Sequence, residues 1–190
     1  MSSKIMKYAP WILAIIWLGI RVSLYYSMQA TNPDGARSAG VMINLLFLIF
    51  IIFSVLSKLY KERRNGAKSS FLNDFKAVLK ETLKYCLGVG IALAIFYNFI
   101  STELQNRRVR DQQATIEALD TEEELNQVRS ENIQLKNLSR EEIIKAANDR
   151  TEIFTNPKIV SSASFLVLVF VSLIYTLFAV LLFRYFLKMR

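Results

Sequence analysis

Few residues in this chain have the type and placement to do chemistry, and Arg21 stands first among them. It sits inside the apolar run YAPWILAIIWLGIRVSLYYSM, from Tyr8 to about Met28. At a helical rise of about 1.5 Å per residue, Arg21 lies roughly 20 Å past Tyr8, beyond the midplane of a hydrocarbon core about 30 Å thick. A cation at that depth is costly and normally faces protein, water or an anion. Helical side chains lean toward their own N-terminus, so Arg21 would have to bend against that lean to reach the far surface. Asn44, Asn98 and the serines Ser161, Ser162 and Ser164 stand near the matching ends of three other apolar runs. Two readings follow. In one, Arg21 snorkels and the others are ordinary interface residues. In the other, Arg21, Asn44 and Asn98 form one intramembrane polar cluster around a lipid phosphate.

The remaining candidates are weaker. The chain has no histidine, which removes the commonest general base and zinc ligand. Its single cysteine, Cys86, opens an apolar block with nothing titratable and basic beside it, and reads as a buried structural thiol. Glu122, Glu123 and Glu124 read as a solvated helix start favoured by the helix dipole rather than as a cation site. The RRVR run from Arg107 to Arg110 reads as a solvated arm near the membrane, with a lipid headgroup as the competing partner. No nucleotide loop, metal cluster or nucleophile–base pair is visible. The sequence therefore assigns no catalytic, cofactor-binding or metal residue, and a non-enzymatic chain is expected.

The elements that must position these residues are set by hydropathy. Of 190 residues 53% are hydrophobic, and they fall in long unbroken blocks instead of the periodic pattern of a soluble domain. The blocks predict an all-α integral membrane protein, a single membrane domain over 1–190 with four transmembrane helices at about 8–28, 41–59, 85–101 and 159–183. The first block is too long for a signal-peptide h-region, carries Arg21 and lacks a small-x-small cleavage site. TNPDGARSAG, Thr31 to Gly40, reads as a turn joining the first two spans into a hairpin. After a basic turn, the segment 70–84 places Phe71, Leu72, Phe75, Val78, Leu79 and Leu83 on one helical face, with Asn73, Asp74, Lys76, Lys80 and Glu81 on the other. That is an interfacial amphipathic helix, N-capped by Ser69 or Ser70, leading into the third span. Its Phe71, Phe75, Val78 and Leu79 are a candidate interface with a partner. In the third span Gly88 with Ala92 and Gly90 with Ala94 are small pairs four apart, the spacing that lets helix backbones approach closely in lipid. Their alternative is simply that Gly and Ala are common in spans.

Residues 103–156 form the one sizeable polar region. Thr121-x-x-Glu124 and Ser139-x-x-Glu142 both fit the capping box. Helices are expected to about Leu119, from Glu122 to about Leu135 and from Arg140 to about Arg150. Too few apolar residues accompany them for an independent core, so the segment reads as a helical arm. Asn156-Pro157 then opens the last span, proline being suited to a helix's first turn.

Charge orients the chain. The N-terminus, the connection between spans two and three, and the C-terminus together carry thirteen cations against three acids, and the opposite side carries ten cations against thirteen acids. Lysine and arginine flanking spans stay in the cytoplasm. Both termini are therefore expected in the cytoplasm and the arm outside it, and the net charge of +8 is a membrane-orientation effect with no nucleic-acid partner implied. The order of two close spans, a basic turn, the run SSFLNDFKAVLK, a third span, a charged outer segment, a fourth span and a basic tail resembles an uncharacterised bacterial inner-membrane family, domain of unknown function 4199 (DUF4199). The resemblance covers nearly the whole chain and implies the bacterial inner membrane, with no residue roles to carry over. Such proteins are associated with envelope and lipid-linked sugar pathways.

The function expected is a non-enzymatic accessory or assembly subunit of an inner-membrane complex, docking a membrane-associated glycosyltransferase that uses polyprenyl phosphate. The alternative is a small oligomeric transporter or channel for an anionic substrate, using Arg21. Expected partners are membrane lipids and another membrane protein or further copies of the chain. A transporter should show broken helices or a charged pathway, whereas one arginine and no intramembrane acid are evident. For the topology, we predict that a reporter active only outside the cytoplasm works when fused near Asn126 and fails near Gly66 or after Arg190. Activity at Gly66 overturns the orientation.

Overall fold

The computed structural model describes residues 3–28, 31–65, 70–102, 106, 109–110, 114 and 138–186. Helix dominates, and no strand occurs among the described residues. The chain is an all-α membrane protein. Four stretches are long and apolar enough to cross a bilayer: Tyr8–Met28, Gly35–Arg64, Phe71–Ile100 and Pro157–Phe186. They belong to α1 (Ser3–Met28), α2 (Pro33–Arg64), α3 (Phe71–Ile95) with the π-helical turn that continues it (Phe96–Ile100), and α5 (Pro157–Phe186); α4 (Arg140–Thr155) precedes the last. The chain divides into two compact units, one of Met1–Phe96 with Ser161–Arg190 and one of Tyr97–Val160.

The helix ends correct the sequence reading. Thr31 to Gly40 was expected to be a turn, but α2 already begins at Pro33. The side chain of Asn32 accepts the Gly35 N–H at 2.8 Å, and Pro33 stands in the first turn with its φ preset. An Asn-Pro pair thus starts this helix, and the Asp-Gly that follows is carried inside it. At its other end α2 runs through the basic segment to Arg64, beyond the expected Leu59, with Asn65 as C-cap. Lys61, Arg63 and Arg64 occupy its last turn, where cations complement the exposed carbonyls.

The amphipathic segment and the third span form one helix. Ser70 N-caps it by accepting the Asn73 N–H at 3.3 Å, and α3 then continues unbroken to Ile95. Its buried stripe runs through Asp74, Val78, Thr82, Tyr85, Val89 and Ala92, at three- and four-residue steps. Along that stripe α3 packs on α1 and α2. It meets α5 through small polar side chains: the hydroxyls of Thr82 and Thr176 lie 3.5 Å apart, and both residues are fully buried. Thr82 also donates to the Leu79 carbonyl and Ser172 to the Val169 carbonyl, so these buried hydroxyls are satisfied. The apolar side chains this unit leaves outside, Ile15, Phe53, Leu166 and Phe170 among them, are what a lipid-facing surface requires.

In the second unit α4 begins with the expected capping box. The Ser139 N–H donates to Glu142 Oε2 at 2.8 Å, and the Glu142 N–H donates to Ser139 Oγ at 3.3 Å. The helix reaches Thr155, past the expected Arg150, and buries Ile143. The expected helices to Leu119 and from Glu122 to Leu135, and with them Thr121, Glu122, Glu123 and Glu124, lie outside the described residues, apart from single helical positions such as Asn106 and Ala114.

Hydrogen bonding to the carboxyl from Ser139, its backbone N–H first and its hydroxyl second, holds Glu142 below the usual carboxylate range. Stability from a depressed carboxyl is present above its unfolded pKa and is lost as pH falls through the folded one. We predict that the amide protection factor of the first turn of α4 is flat near neutral pH and falls below about pH 4. A Glu142→Gln variant keeps an acceptor and loses that pH dependence; an identical profile in both proteins refutes the assignment.

Candidate functional site

Asp74 is the most buried charge among the described residues, with no exposed surface. It occupies the first turn of α3. Arg63, in the last turn of α2, donates from Nη2 to both carboxylate oxygens. Arg184, in the last turn of α5, donates from Nη1 to Oδ2 at 2.7 Å. The side chains of the two arginines are only 11% and 15% exposed, so this is a nearly dry ion triad. Its polarity suits the backbone. An anion sits at one helix N-terminus and cations sit at two helix C-termini, each favourable with the helix dipole. Ion pairing at a buried site repays desolvation only when the geometry fills the acceptor's lone pairs, and here both oxygens are engaged. The sequence reading put Asp74 on the polar face. The structure buries it instead, because the stripe that begins at Asp74 and steps through Val78 and Thr82 is the face that meets α2 and α5.

Arg21 forms the second polar centre of this unit. It is 8% exposed. Its Nη1 donates to the Ala36 carbonyl at 2.7 Å and to the Arg37 carbonyl at 3.2 Å, and its guanidinium lies 5.1 Å from the centroid of the Phe96 ring. One turn earlier on α1, Trp17 Nε1 donates to the Gly40 carbonyl at 2.8 Å. Two donors of α1 therefore grip the opening turns of α2. Gly40 makes room for this: a Cβ there would stand 2.5 Å from Arg21 Nη1 and 2.9 Å from its Cδ.

The other singled-out residues each have their own setting. Asn44 pairs with Tyr85, whose hydroxyl donates to Asn44 Oδ1 at 2.6 Å, so Asn44 ties α2 to α3. Asn98 lies half-buried in the π-helical turn, in the unit that does not hold Arg21. Ser161 is buried, Ser162 exposed and Ser164 half-buried. The small pairs face different neighbours. At Gly88 a Cβ would come within 2.8 Å of the Ala14 Cβ on α1, and at Gly90 within 2.6 Å of the Phe165 ring on α5. Ala92 is buried and Ala94 is exposed. Of the proposed interface face, Val78 is fully buried, whereas Phe71, Phe75 and Leu79 are half-buried and Leu72 is exposed. The Phe71 and Phe75 rings stack with centroids 6.1 Å apart. Cys86 is buried. Arg107 and Arg108 lie outside the described residues, and Arg110 is exposed.

The triad was missed at the sequence level, although a signal existed. Asp74 lies in phase with the buried stripe of α3, and Arg63 and Arg184 end two spans. Reading phase through the amphipathic segment and the span as one helix brings them together; reading the two separately does not. Among the described residues no group of three or more metal-ligating side chains occurs. Comparisons with protein-family models, curated proteins and solved structures give no match to this chain.

If the grip of Arg21 on α2 holds the hairpin, Arg21→Leu lowers the thermal stability of the purified protein, by about 1–3 kcal/mol for a lost buried polar contact. Arg21→Lys restores part of it, since an ammonium lacks the planar fork. Gly40→Ala acts in the same direction as Arg21→Leu by displacing the guanidinium. A lipid-facing arginine gives the opposite sign, because its removal eases insertion by about 2.5–3.5 kcal/mol.

Proposed function

We propose that the chain is a non-enzymatic accessory or assembly subunit of a bacterial inner-membrane complex, with both termini in the cytoplasm. The observation that carries this reading is the use made of the charges in the spanning helices. Arg21 is bonded to the opening carbonyls of α2, and Asp74 is enclosed by Arg63 and Arg184. These groups hold helices to one another, as a scaffold requires. An anion pathway would instead keep such charges facing a water-filled space. What the chain offers outward is different: the half-buried Phe71 and Phe75 rings at the start of α3, and the charged face of α4 with Glu141, Lys145 and Asp149 exposed. Such surfaces suit a membrane protein partner, and a glycosyltransferase using polyprenyl phosphate is the partner class proposed.

Purification of the full chain in mild detergent tests this. One partner in fixed stoichiometry is expected, and Phe75→Asp lowers its recovery several-fold while the amount of chain in the membrane is unchanged. Full burial of a side chain of that size contributes about 1.5–3 kcal/mol. A clean homo-oligomer, or equal recovery with the variant, overturns the proposal.

A further inference from the structure

A second feature of the same helical unit points to a lipid. A cavity of about 470 Å³ opens between α1, α2 and α3. Its inner wall is apolar, formed by Phe50, Ile51 and Val55 of α2 with Ala9 and Pro10 of α1. Its other wall carries Lys58 and Glu62 of α2 with Lys80, Glu81 and Lys84 of α3. Three ammonium groups and two carboxylates thus surround one cavity whose far side is hydrocarbon. The pairing among them is incomplete. Lys84 Nζ donates to Glu81 Oε1 at 2.7 Å, and Lys58 stands 3.8 Å from Glu62. Lys80 makes no ion pair among the described residues. Glu81 Oε2 is buried and has no hydrogen-bond partner among them. A buried carboxylate oxygen calls for a donor, and a lysine at a lipid-facing cavity calls for an anion.

We propose that this cavity binds one phospholipid with a phosphoethanolamine headgroup. The phosphate pairs with Lys80, supported by Lys58. The primary ammonium, with three N–H donors, completes the Glu81 carboxylate. An acyl chain lies along Phe50, Ile51 and Val55. The headgroup is selected by its donors: a choline headgroup has the same charge and no N–H, and a glycerol headgroup lacks the positive charge that a carboxylate favours. The shared wall of Lys58 and Lys80 places the phosphate at the same end of the unit as the other basic side chains of α2 and α3, where lipid headgroups lie.

The test is native mass spectrometry of the full chain in detergent, titrated with phosphatidylethanolamine, phosphatidylcholine and phosphatidylglycerol of identical acyl chains. Phosphatidylethanolamine binds about tenfold more tightly than phosphatidylcholine, the factor expected of one charge-assisted hydrogen bond. It also binds more tightly than phosphatidylglycerol. Glu81→Gln abolishes the preference over choline while phosphate-dependent binding persists, and the exposed Lys80→Ala weakens all three lipids. Equal affinity for the ethanolamine and choline lipids in the unaltered protein overturns the proposal without any variant. So does tighter binding of phosphatidylglycerol, or an undiminished ethanolamine preference in Glu81→Gln. Inorganic phosphate in place of lipid leaves the protein unchanged; saturable binding of phosphate alone would assign the site to a free anion and overturn the lipid.

Discussion

A carboxylate with no exposed surface governs how this unit is built. A carboxylate inside a helical bundle is costly unless cations come to it, and the two that come to Asp74, Arg63 and Arg184, belong to the ends of two other spanning helices. The cost of burying the charge is recovered only when all three helix ends converge. The ion triad therefore specifies which helix ends meet. Within a membrane this matters more than in water, because the hydrophobic effect that collapses soluble bundles gives no preference for one helix neighbour over another.

The rest of the unit repeats that logic at lower charge. Three helix pairs are joined by polar contacts of their own. Arg21 and Trp17 fix α1 on α2, Tyr85 and Asn44 fix α2 on α3, and Thr82 and Thr176 join α3 to α5. Close approach adds to these contacts, with Gly88 facing Ala14 and Gly90 facing Phe165. Dispersion at such distances is weak per atom and accumulates along the helix. Apolar side chains left outside, such as Ile15 and Phe170, suit contact with lipid.

Much of this was legible in the sequence, and the misses share one cause. Unbroken hydropathy located four spans, and Ser139-x-x-Glu142 located the start of α4, because both signals are local. The Asn-Pro-Asp-Gly segment was misjudged because the same residues that make a turn also cap a helix; what decides is the Arg21 and Trp17 grip on the backbone that follows, which is a tertiary fact. Asp74 was assigned to solvent for the same reason. A polar residue beside lysines reads as exposed until its partners on distant helix ends are known. Arg21 could be flagged as unusual from depth alone, but its acceptors are backbone carbonyls, which no residue type announces.

The most direct test of this account is a stability comparison of two variants in detergent. In Asp74→Leu alone, two arginines lose their buried partner, and the account predicts a loss of about 3–5 kcal/mol. In the combined Asp74→Leu, Arg63→Met and Arg184→Met protein no charge is left uncompensated, and most of that loss is regained. If Asp74→Leu is as stable as the parent, or if the combined variant is less stable than Asp74→Leu, the triad does not hold the helix ends together.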